Sequence, residues 1–226
     1  MKLRKKSKDG SIYVTDEKFN TASHIIGLIL SLFGVVVLIV ESSIKAKVWH
    51  IVSFSIYGTT LILLFLASSL HHGIFARKKI ENIFRQFDYI AIFPLIAGTF
   101  TPFCLILLRN PFGWSIFGVV WAIAIIGIII KGVFPAIPKW LTHTLYIGMG
   151  WLGIFIAIPL LKIIGFIGVG LITLGGILYT IGALIYYFEK PNPIPGKFGF
   201  HEIWHIFVIL GCACFYFDFY FFVLPY

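Results

Sequence analysis

Long apolar stretches run through nearly all of this 226-residue chain and decide what it can fold into. A helix needs about 20 apolar residues to cross the ~30 Å hydrocarbon core of a bilayer. Apolar residues make up 59% of the chain and charged residues only 12%, so a single soluble core cannot bury this much apolar surface. The sequence predicts an all-α integral membrane protein, a seven-transmembrane helix bundle. Its predicted spans are residues 25–43, 48–72, 87–108, 114–130, 140–160, 163–187 and 201–223.

The boundary between the fifth and sixth predicted spans is marked only by Pro159, Lys162 and Gly165. A single helix over 140–187 would be about 72 Å long at ~1.5 Å per residue, more than twice the thickness of the hydrocarbon core. The chain is therefore expected to reverse direction at this boundary.

Basic residues are concentrated on one predicted side of the membrane. Because basic loops stay in the cytoplasm, the sequence predicts a cytoplasmic N-terminus and an outside C-terminus. Residues 1–24 then form a cytoplasmic basic segment, and 25–226 form the transmembrane domain. The inner basic residues are Lys2, Arg4, Lys5, Lys6, Lys8, Lys18, Arg77, Lys78, Lys79, Arg85, Lys131, Lys139, Lys190 and Lys197. The outer ones are Lys45, Lys47, Arg109 and Lys162.

The net charge of +9 is explained by this orientation and by attraction to anionic lipid, rather than by nucleic-acid binding. The basic start MKLRKKSK is followed by polar sequence and not by the apolar core of a signal peptide. The first apolar stretch is therefore predicted to be retained as a membrane span.

Six of the seven histidines lie on the predicted cytoplasmic side, and His50 lies on the predicted outer side. For each residue alone, an interfacial polar role is sufficient, because polarity costs less near a helix end than the ~2.5–3.5 kcal/mol of a charged residue at the bilayer centre. His71 and His143 have no partner at helical spacing and are assigned that role. The six inner histidines are His24, His71, His72, His143, His201 and His205.

Two pairs at i, i+4 spacing favour a second interpretation. His201 and His205 share one face of the last helix, and Ser68 and His72 share one face at the inner end of the second. Two imidazoles on one face can chelate a divalent ion, and a third from another helix completes a three-histidine zinc site with a position for water. Asp88 could hold that water and Ser68 could orient the donor groups.

Four segments resemble the hemolysin III family of bacterial membrane proteins, within the progestin and adipoQ receptor (PAQR) superfamily. They are EKFNTASH (17–24), SSLHH (68–72), FDYIAIFPLIAGTFTPF (87–103) and FHEIWH (200–205). The resemblance implies a protein of the bacterial inner membrane, with seven helices, the N-terminus inside and a zinc ion near the cytoplasmic side. It implies His72, His201 and His205 as the ligands, Asp88 as a ligand through a water, and Ser68 behind them.

The chain departs from the family pattern at two places. Family members often carry a further histidine late in the last helix, where this chain reads CFYF from Cys214 to Phe217. His71 stands where the pattern often has tyrosine, so both His71 and His72 are candidate ligands. They are about 100° apart around a helix, and His72 alone shares a face with Ser68.

The segment HEIWH (201–205) also matches the H-E-x-x-H of zinc metalloproteases. In those enzymes the glutamate is the general base and a third ligand follows downstream. The downstream candidate here, Asp218, is roughly 20 Å further along the same helix. The sequence therefore disfavours a protease and predicts that Glu202 faces the headgroups or a loop at the inner edge.

The leading functional hypothesis is a zinc-dependent hydrolase, or hydrolase-like protein, that acts on an amide or ester of a ceramide-like lipid or phospholipid. The resemblance links such a protein to membrane lipid and fluidity homeostasis. The alternative is a non-enzymatic sensor or receptor of membrane state, in which zinc holds helices together. A third reading, a pore-forming hemolysin, is disfavoured because amphipathic, oligomerising toxin segments are absent. The sequence does not indicate an oligomeric state.

Overall fold

The computed structural model describes residues 7–8 and 10–226, and these residues form an all-helical bundle. Of the predicted basic segment, Lys2, Arg4, Lys5 and Lys6 lie outside the described residues. The all-α prediction is confirmed. The helices are α1 (Glu17–Ile44), α2 (Val48–Gly73), α3 (Lys78–Pro102), α4 (Pro111–Val133), α5 (Lys139–Trp151), α6 (Gly153–Phe188) and α7 (Phe200–Asp218), with π-helical turns at Phe103–Leu107 and Phe219–Val223.

The first and third helices begin well before the apolar stretches that predicted them. α1 starts at Glu17, where the Asp16 carboxylate accepts hydrogen bonds from the backbone N–H groups of Lys18 and Phe19 at 3.0 and 3.2 Å. Such a cap satisfies donors that the first helical turn leaves unpaired. α3 starts at Lys78, so several residues with charged side chains precede its apolar part. Both extensions carry polar side chains toward one end of the bundle.

Within the described residues, six helical runs are long and apolar enough to cross a membrane, where the sequence predicted seven spans. The difference lies in Lys139–Phe188, which forms one 50-residue run. The expected separate spans at 140–160 and 163–187 are not separated by a loop, because the chain stays helical across Pro159 and Lys162. The interruption comes instead at Gly165, whose φ of 67° and ψ of −173° are not helical.

This 50-residue run folds back on itself. The ring of His143 near its start stacks on the ring of Tyr186 near its end, with centroids 5.8 Å apart, and Lys139 forms an ion pair with Glu189. A straight helix would put residues 143 and 186 roughly 65 Å apart at ~1.5 Å per residue. The reversal is placed at Gly165, because those backbone angles are essentially restricted to glycine. The reversal predicted near this position is confirmed.

Close helix packing is achieved with small residues facing larger ones. A Cβ added at Gly98 on α3 would lie 2.2 Å from Thr60 Oγ1 on α2, and one at Gly127 on α4 would lie 2.3 Å from the ring of Phe93. Such contacts are typical of helices that pack in lipid, where van der Waals fit replaces the hydrophobic effect as the driving force. Large apolar side chains on the outer surface, such as Phe33, Ile129 and Phe166, are exposed, as expected for a lipid-facing surface.

The two ends of the bundle differ in their histidines. At one end the start of α2 meets the end of α7, where His50 Nε2 lies 3.0 Å from the carbonyl oxygen of Val223. At the other end the start of α7 meets the start of α1 and the end of α2, and we call this the histidine end. The predicted separation of His50 from the other six histidines is confirmed.

Replacement of Gly165 by alanine should destabilise the protein, because a Cβ is strained at this backbone conformation by about 1–3 kcal/mol. The expected result is a lower midpoint of thermal unfolding for the Gly165→Ala variant, measured in detergent.

Gly170 provides the matched control, since it lies in the same helix and a Cβ there would meet nothing within 4 Å. Gly170→Ala should leave the midpoint unchanged or raise it, because alanine favours a helix over glycine. Equal effects of the two variants would contradict the reversal at Gly165.

Candidate metal centre

Three buried imidazoles meet at the histidine end. His72 comes from the last turn of α2, and His201 and His205 come from the first turns of α7; each is at most 3% exposed. The three ring centroids form a triangle with every side 4.9 Å, and a ring nitrogen of each lies within 4.8 Å of the others. The structure thus brings together the three residues that the sequence indicated as metal ligands.

The distance between donor atoms fits a single small ion. His201 Nε2 and His205 Nε2 are 3.1 Å apart. In a tetrahedral zinc site with Zn–N bonds of ~2.0–2.1 Å, two ligand nitrogens are separated by about 3.3 Å. The donor set, three neutral nitrogen ligands from two helices, is also one that divalent transition metals accept.

A buried carboxylate orients His72. Glu17 Oε2 lies 2.7 Å from His72 Nδ1, and both residues are buried. Because Nδ1 is engaged, Nε2 is the ring nitrogen left for a metal, and it has no hydrogen-bond partner in the described part of the chain. Carboxylate–histidine pairs of this kind fix the tautomer and the ring orientation of metal ligands.

A hydroxyl plays the corresponding part for His205. Ser23 Oγ lies 3.1 Å from His205 Nδ1, so the Nε2 atom of His205 is again the one directed toward the other two rings. The ring of His24, one residue further along α1, stacks on His205 with centroids 3.7 Å apart and 23° between the planes. α1 therefore supports both of the other helices that carry ligands.

The end of α2 is held by a lysine from the segment before α1. Lys8 Nζ donates to the carbonyl oxygens of His71 and His72 at 2.9 Å each and to that of Ile74 at 2.6 Å. These carbonyls lack partners within the helix, and a cation there is also favoured by the helix dipole. Lys8 N also donates to Glu17 Oε1 at 3.2 Å, so the same segment contacts the carboxylate that orients His72.

The start of α7 is fixed by Glu202. Its Oε2 accepts from Gly199 N at 2.8 Å, and its Oε1 accepts from Asp16 N at 2.6 Å. Glu202 is 1% exposed and bonds the chain segments preceding α1 and α7, so of the two predicted surroundings, headgroups or a loop, the structure shows the loop. Both of its oxygens are used as acceptors for backbone donors, which is a helix-capping role.

His71 does not have the interfacial role predicted for it. It is 1% exposed, its ring centroid is 4.5 Å from that of His72, and it forms a second candidate ligand group with His72 and Asp88. The three-histidine group contains His72 and not His71, which is the assignment that the shared face with Ser68 favoured. His143 lies apart from both groups, stacked on Tyr186.

A cavity of about 810 Å³ adjoins the centre, between α3, α5, α6 and α7. Its wall includes His201 and His205 together with the predicted catalytic residues Asp88 and Ser68. Much of the remaining wall is aliphatic or aromatic, and its volume falls in the range of ligand-binding pockets. Asp88 also has a carboxylate oxygen within 4.8 Å of ring nitrogens of His71 and His72, so a carboxylate of the cavity wall lies beside these two histidines.

Sequence reasoning did not assign roles to the residues that support the ligands, Glu17, Ser23 and Lys8. A signal for one of them was present, because Glu17, Asn20 and His24 follow i, i+3, i+7 spacing and so share one face of α1. All three are buried. A polar face at the end of an otherwise apolar helix indicates a buried polar partner, here His72, Glu202 and His205 respectively.

Comparison with known proteins agrees with the resemblance seen in the sequence. A family model described as Haemolysin-III related matches residues 12–216. The chain is 40% identical to the Hemolysin-3 of Bacillus cereus over 213 residues, and this alignment covers 94% of each of the two chains. It is 39% identical over 204 residues to the Hemolysin-3 homolog of Bacillus subtilis (strain 168), which covers 90% of this chain and 92% of that relative.

Metal binding should depend on these residues in a graded order. His205→Ala removes a donor and should abolish stoichiometric binding, whereas Glu17→Gln keeps the donors and should weaken affinity by roughly 10–100-fold, as loss of a supporting carboxylate does. The measurement is metal content after dialysis, followed by titration calorimetry of the stripped protein with zinc.

His50→Ala is the matched control, since it removes a buried histidine at the opposite end and should leave binding unchanged. A His201→Ala/His205→Ala variant that retained a full equivalent of metal would contradict the assignment.

Proposed function

The chain belongs to the haemolysin-III related family, and from its three-histidine centre we propose that it is a zinc-binding, multi-pass membrane protein that hydrolyses an amide or ester bond of a membrane lipid. The observation that carries this proposal is the position of the centre. His201 and His205 lie in the wall of a large, mainly apolar cavity, and Asp88 lies in the same wall, close to the third ligand, His72.

Zinc is the metal that the donor set favours. Three imidazole nitrogens with a further position open for water are characteristic of catalytic zinc sites, whereas structural zinc sites are usually closed by four protein ligands. Magnesium and calcium prefer oxygen ligands. When bound here, zinc would supply a Lewis acid that polarises a substrate carbonyl and lowers the pKa of water.

Asp88 is suited to the proton transfers of such a hydrolysis. A water molecule beside Asp88 gives its proton to the carboxylate while its oxygen forms a bond to the carbonyl carbon of the lipid. The bond from that carbon to the leaving oxygen or nitrogen then breaks, and Asp88 returns the proton to the leaving group. The products are a fatty acid and an alcohol or amine, and Ser68 on the same wall is placed to orient the reacting groups.

The alternative is a non-enzymatic sensor of membrane state in which zinc is structural. The observation that favours it is that the ligands and their supports come from three helices, α1, α2 and α7. An ion bound there would cross-link these helices only in the folded protein and would stabilise it. A change in their packing would then be transmitted to the centre. Absence of turnover together with strong stabilisation by zinc would favour this alternative.

We further propose seven membrane crossings, with the N-terminus in the cytoplasm of a bacterial cell and the centre near the inner face of its cell membrane. Support for seven crossings comes from the reversal at Gly165, which divides the 50-residue run into halves of about 35–40 Å at ~1.5 Å per residue. Support for the orientation comes from the bias of basic residues toward the histidine end. Lys47 lies at the opposite end, where it bonds the carbonyls of Leu224 and Pro225.

Asp88→Asn should keep the metal and lose hydrolysis, because asparagine preserves the shape of the side chain but cannot act as a general base. A decrease of about 100-fold or more in turnover is expected. The measurement is release of fatty acid from ceramide-like and phospholipid substrates by purified protein, with zinc content determined in parallel.

His50→Ala serves again as the control for turnover and should retain the parent rate. If Asp88→Asn hydrolysed lipid at the parent rate, Asp88 would not be the general base. If the parent protein hydrolysed neither class of lipid, the hydrolase proposal would be wrong.

The orientation predicts opposite labelling of two single-cysteine variants. Cysteine at Lys197, in the exposed loop before α7, should react with a membrane-impermeant thiol reagent only after the cytoplasmic side is opened. Cysteine at Tyr226, which is 62% exposed, should react in intact cells. The parent, whose three cysteines lie in helical segments, gives the background. The reverse pattern would invert the proposed topology.

A further inference from the structure

The charges in the cavity wall are concentrated at its histidine end. Among the lining residues that the structure describes, the Lys and Arg side chains are Lys79, Arg85, Lys131 and Lys139, and the one carboxylate is Asp88. Lys139 is paired with Glu189 outside the wall. Three cations without that partner therefore line this end of the cavity, which we call its mouth, together with one carboxylate, Asp88.

We infer that the substrate is a lipid with an anionic, phosphate-bearing headgroup, which Lys131 and Arg85 bind while its acyl chain occupies the apolar part of the cavity. This inference rests on the proposed function for the location of the scissile bond, but its binding step is separate from turnover.

The order of side chains along α3 matches the order of groups in such a lipid. Residues of α3 line the cavity at three- and four-residue spacing over nearly its whole length, so one face of the helix follows the cavity. The first lining residues, from Lys79 to Gln86, are mainly polar and include Arg85. Asp88 follows one turn later, about 4.5 Å further along the axis. The later lining residues, from Ile92 to Phe100, are mainly apolar.

The apolar part is long enough for an acyl chain. From Asp88 to Phe100 is twelve residues, or about 18 Å along a helix. One leaflet of the hydrocarbon core is about 15 Å thick, half of ~30 Å. In a glycerophospholipid, a short glycerol unit separates the phosphate from the first acyl ester. The short step from Arg85 to Asp88 corresponds to that unit.

The cavity mouth differs from an ordinary basic surface at the membrane edge because one of its cations, Lys131, is buried. Lys131 is 6% exposed, whereas Lys78 and Lys190 are exposed and are not part of the cavity wall. Its Nζ donates to the carbonyl oxygen of Pro135 at 3.2 Å and lies 5.2 Å from the centre of the Tyr89 ring. No carboxylate of the described residues is within ion-pair distance of it.

A buried ammonium group without a carboxylate partner is costly, because little water remains to solvate its charge. A phosphate in the cavity mouth would offset that cost, and the guanidinium of Arg85 can bind the same phosphate through two parallel hydrogen bonds. A neutral ceramide headgroup offers no such compensation. The charge of the wall therefore favours a phospholipid substrate over ceramide.

Binding of two ether-linked lipids that cannot be hydrolysed tests the inference. Dialkyl phosphatidylglycerol and dialkylglycerol with the same fluorescent chain differ only in the phosphate-bearing headgroup. The parent in neutral detergent should bind the phospholipid about tenfold or more tightly than the neutral lipid, as expected for charge-assisted hydrogen bonds. Fluorescence anisotropy gives both affinities.

Four variants test which side chains cause the preference for the phospholipid. Lys131→Gln and Arg85→Gln should each remove most of it, while affinity for dialkylglycerol changes by less than about twofold. Lys131→Arg keeps the charge and should retain most of the preference. Lys78→Gln removes an exposed cation on the same helix as Arg85 and should have no effect.

Equal affinity of the parent for both lipids, or an equal loss for Lys78→Gln, would overturn the inference. A free fatty acid is the other source of a lipid anion, so hexadecanoate is titrated as a competitor. If Lys131→Gln weakens hexadecanoate but not the phospholipid, the cations bind the carboxylate of a product and the headgroup assignment is wrong. The protein could also show headgroup-dependent binding but no turnover of ester-linked phosphatidylglycerol. That result would support the headgroup inference and contradict only the hydrolase proposal.

Discussion

The hydrogen bond between Glu17 and His72 is the interaction on which the centre depends. It joins α1 to α2 at 2.7 Å between two side chains that are almost wholly buried, in an environment where an unpaired carboxylate would be very costly. It determines which nitrogen of His72 faces His201 and His205. Without this hydrogen bond, the imidazole of His72 could take either tautomer, and its ring orientation relative to His201 and His205 would not be fixed.

The same region holds several other buried polar groups, and they support one another. Lys8 closes the end of α2, Glu202 caps α7 and contacts the chain before α1, and Ser23 contacts His205. Each pairing satisfies a donor or acceptor that low-dielectric surroundings would otherwise penalise. The three helix ends therefore hold one another, which is how α2 and α7 can place their three donor nitrogens within 4.8 Å of one another.

Local spacing was enough to predict part of this centre, and tertiary packing decided the rest. The i, i+4 pairs Ser68–His72 and His201–His205 each share a helix face, so they were readable from the sequence. The pairing of Glu17 with His72 joins residues 55 apart, and no local rule connects them. His71 was predicted to be interfacial for the same reason, since its burial depends on the helices packed against it.

The reversal within 139–188 was predictable from length alone, because no bilayer accommodates so long a straight helix. Its exact position was not, since Pro159, Lys162 and Gly165 all marked the boundary and the sequence does not choose between them. The structure keeps Pro159 and Lys162 within a helix and turns at the glycine, which alone adopts the required angles without strain. The early start of α1 at Glu17 has a similar cause, because the Asp16 cap extends the helix beyond its apolar part.

X-ray absorption at the zinc edge of the purified protein tests the central claim most directly. The account predicts one zinc per chain, bound by three imidazole nitrogens and one further light atom at ~2.0–2.1 Å, with the imidazole signal lost in His201→Ala/His205→Ala. A spectrum with sulfur at ~2.3 Å, or an imidazole signal that persists in that variant, would contradict it.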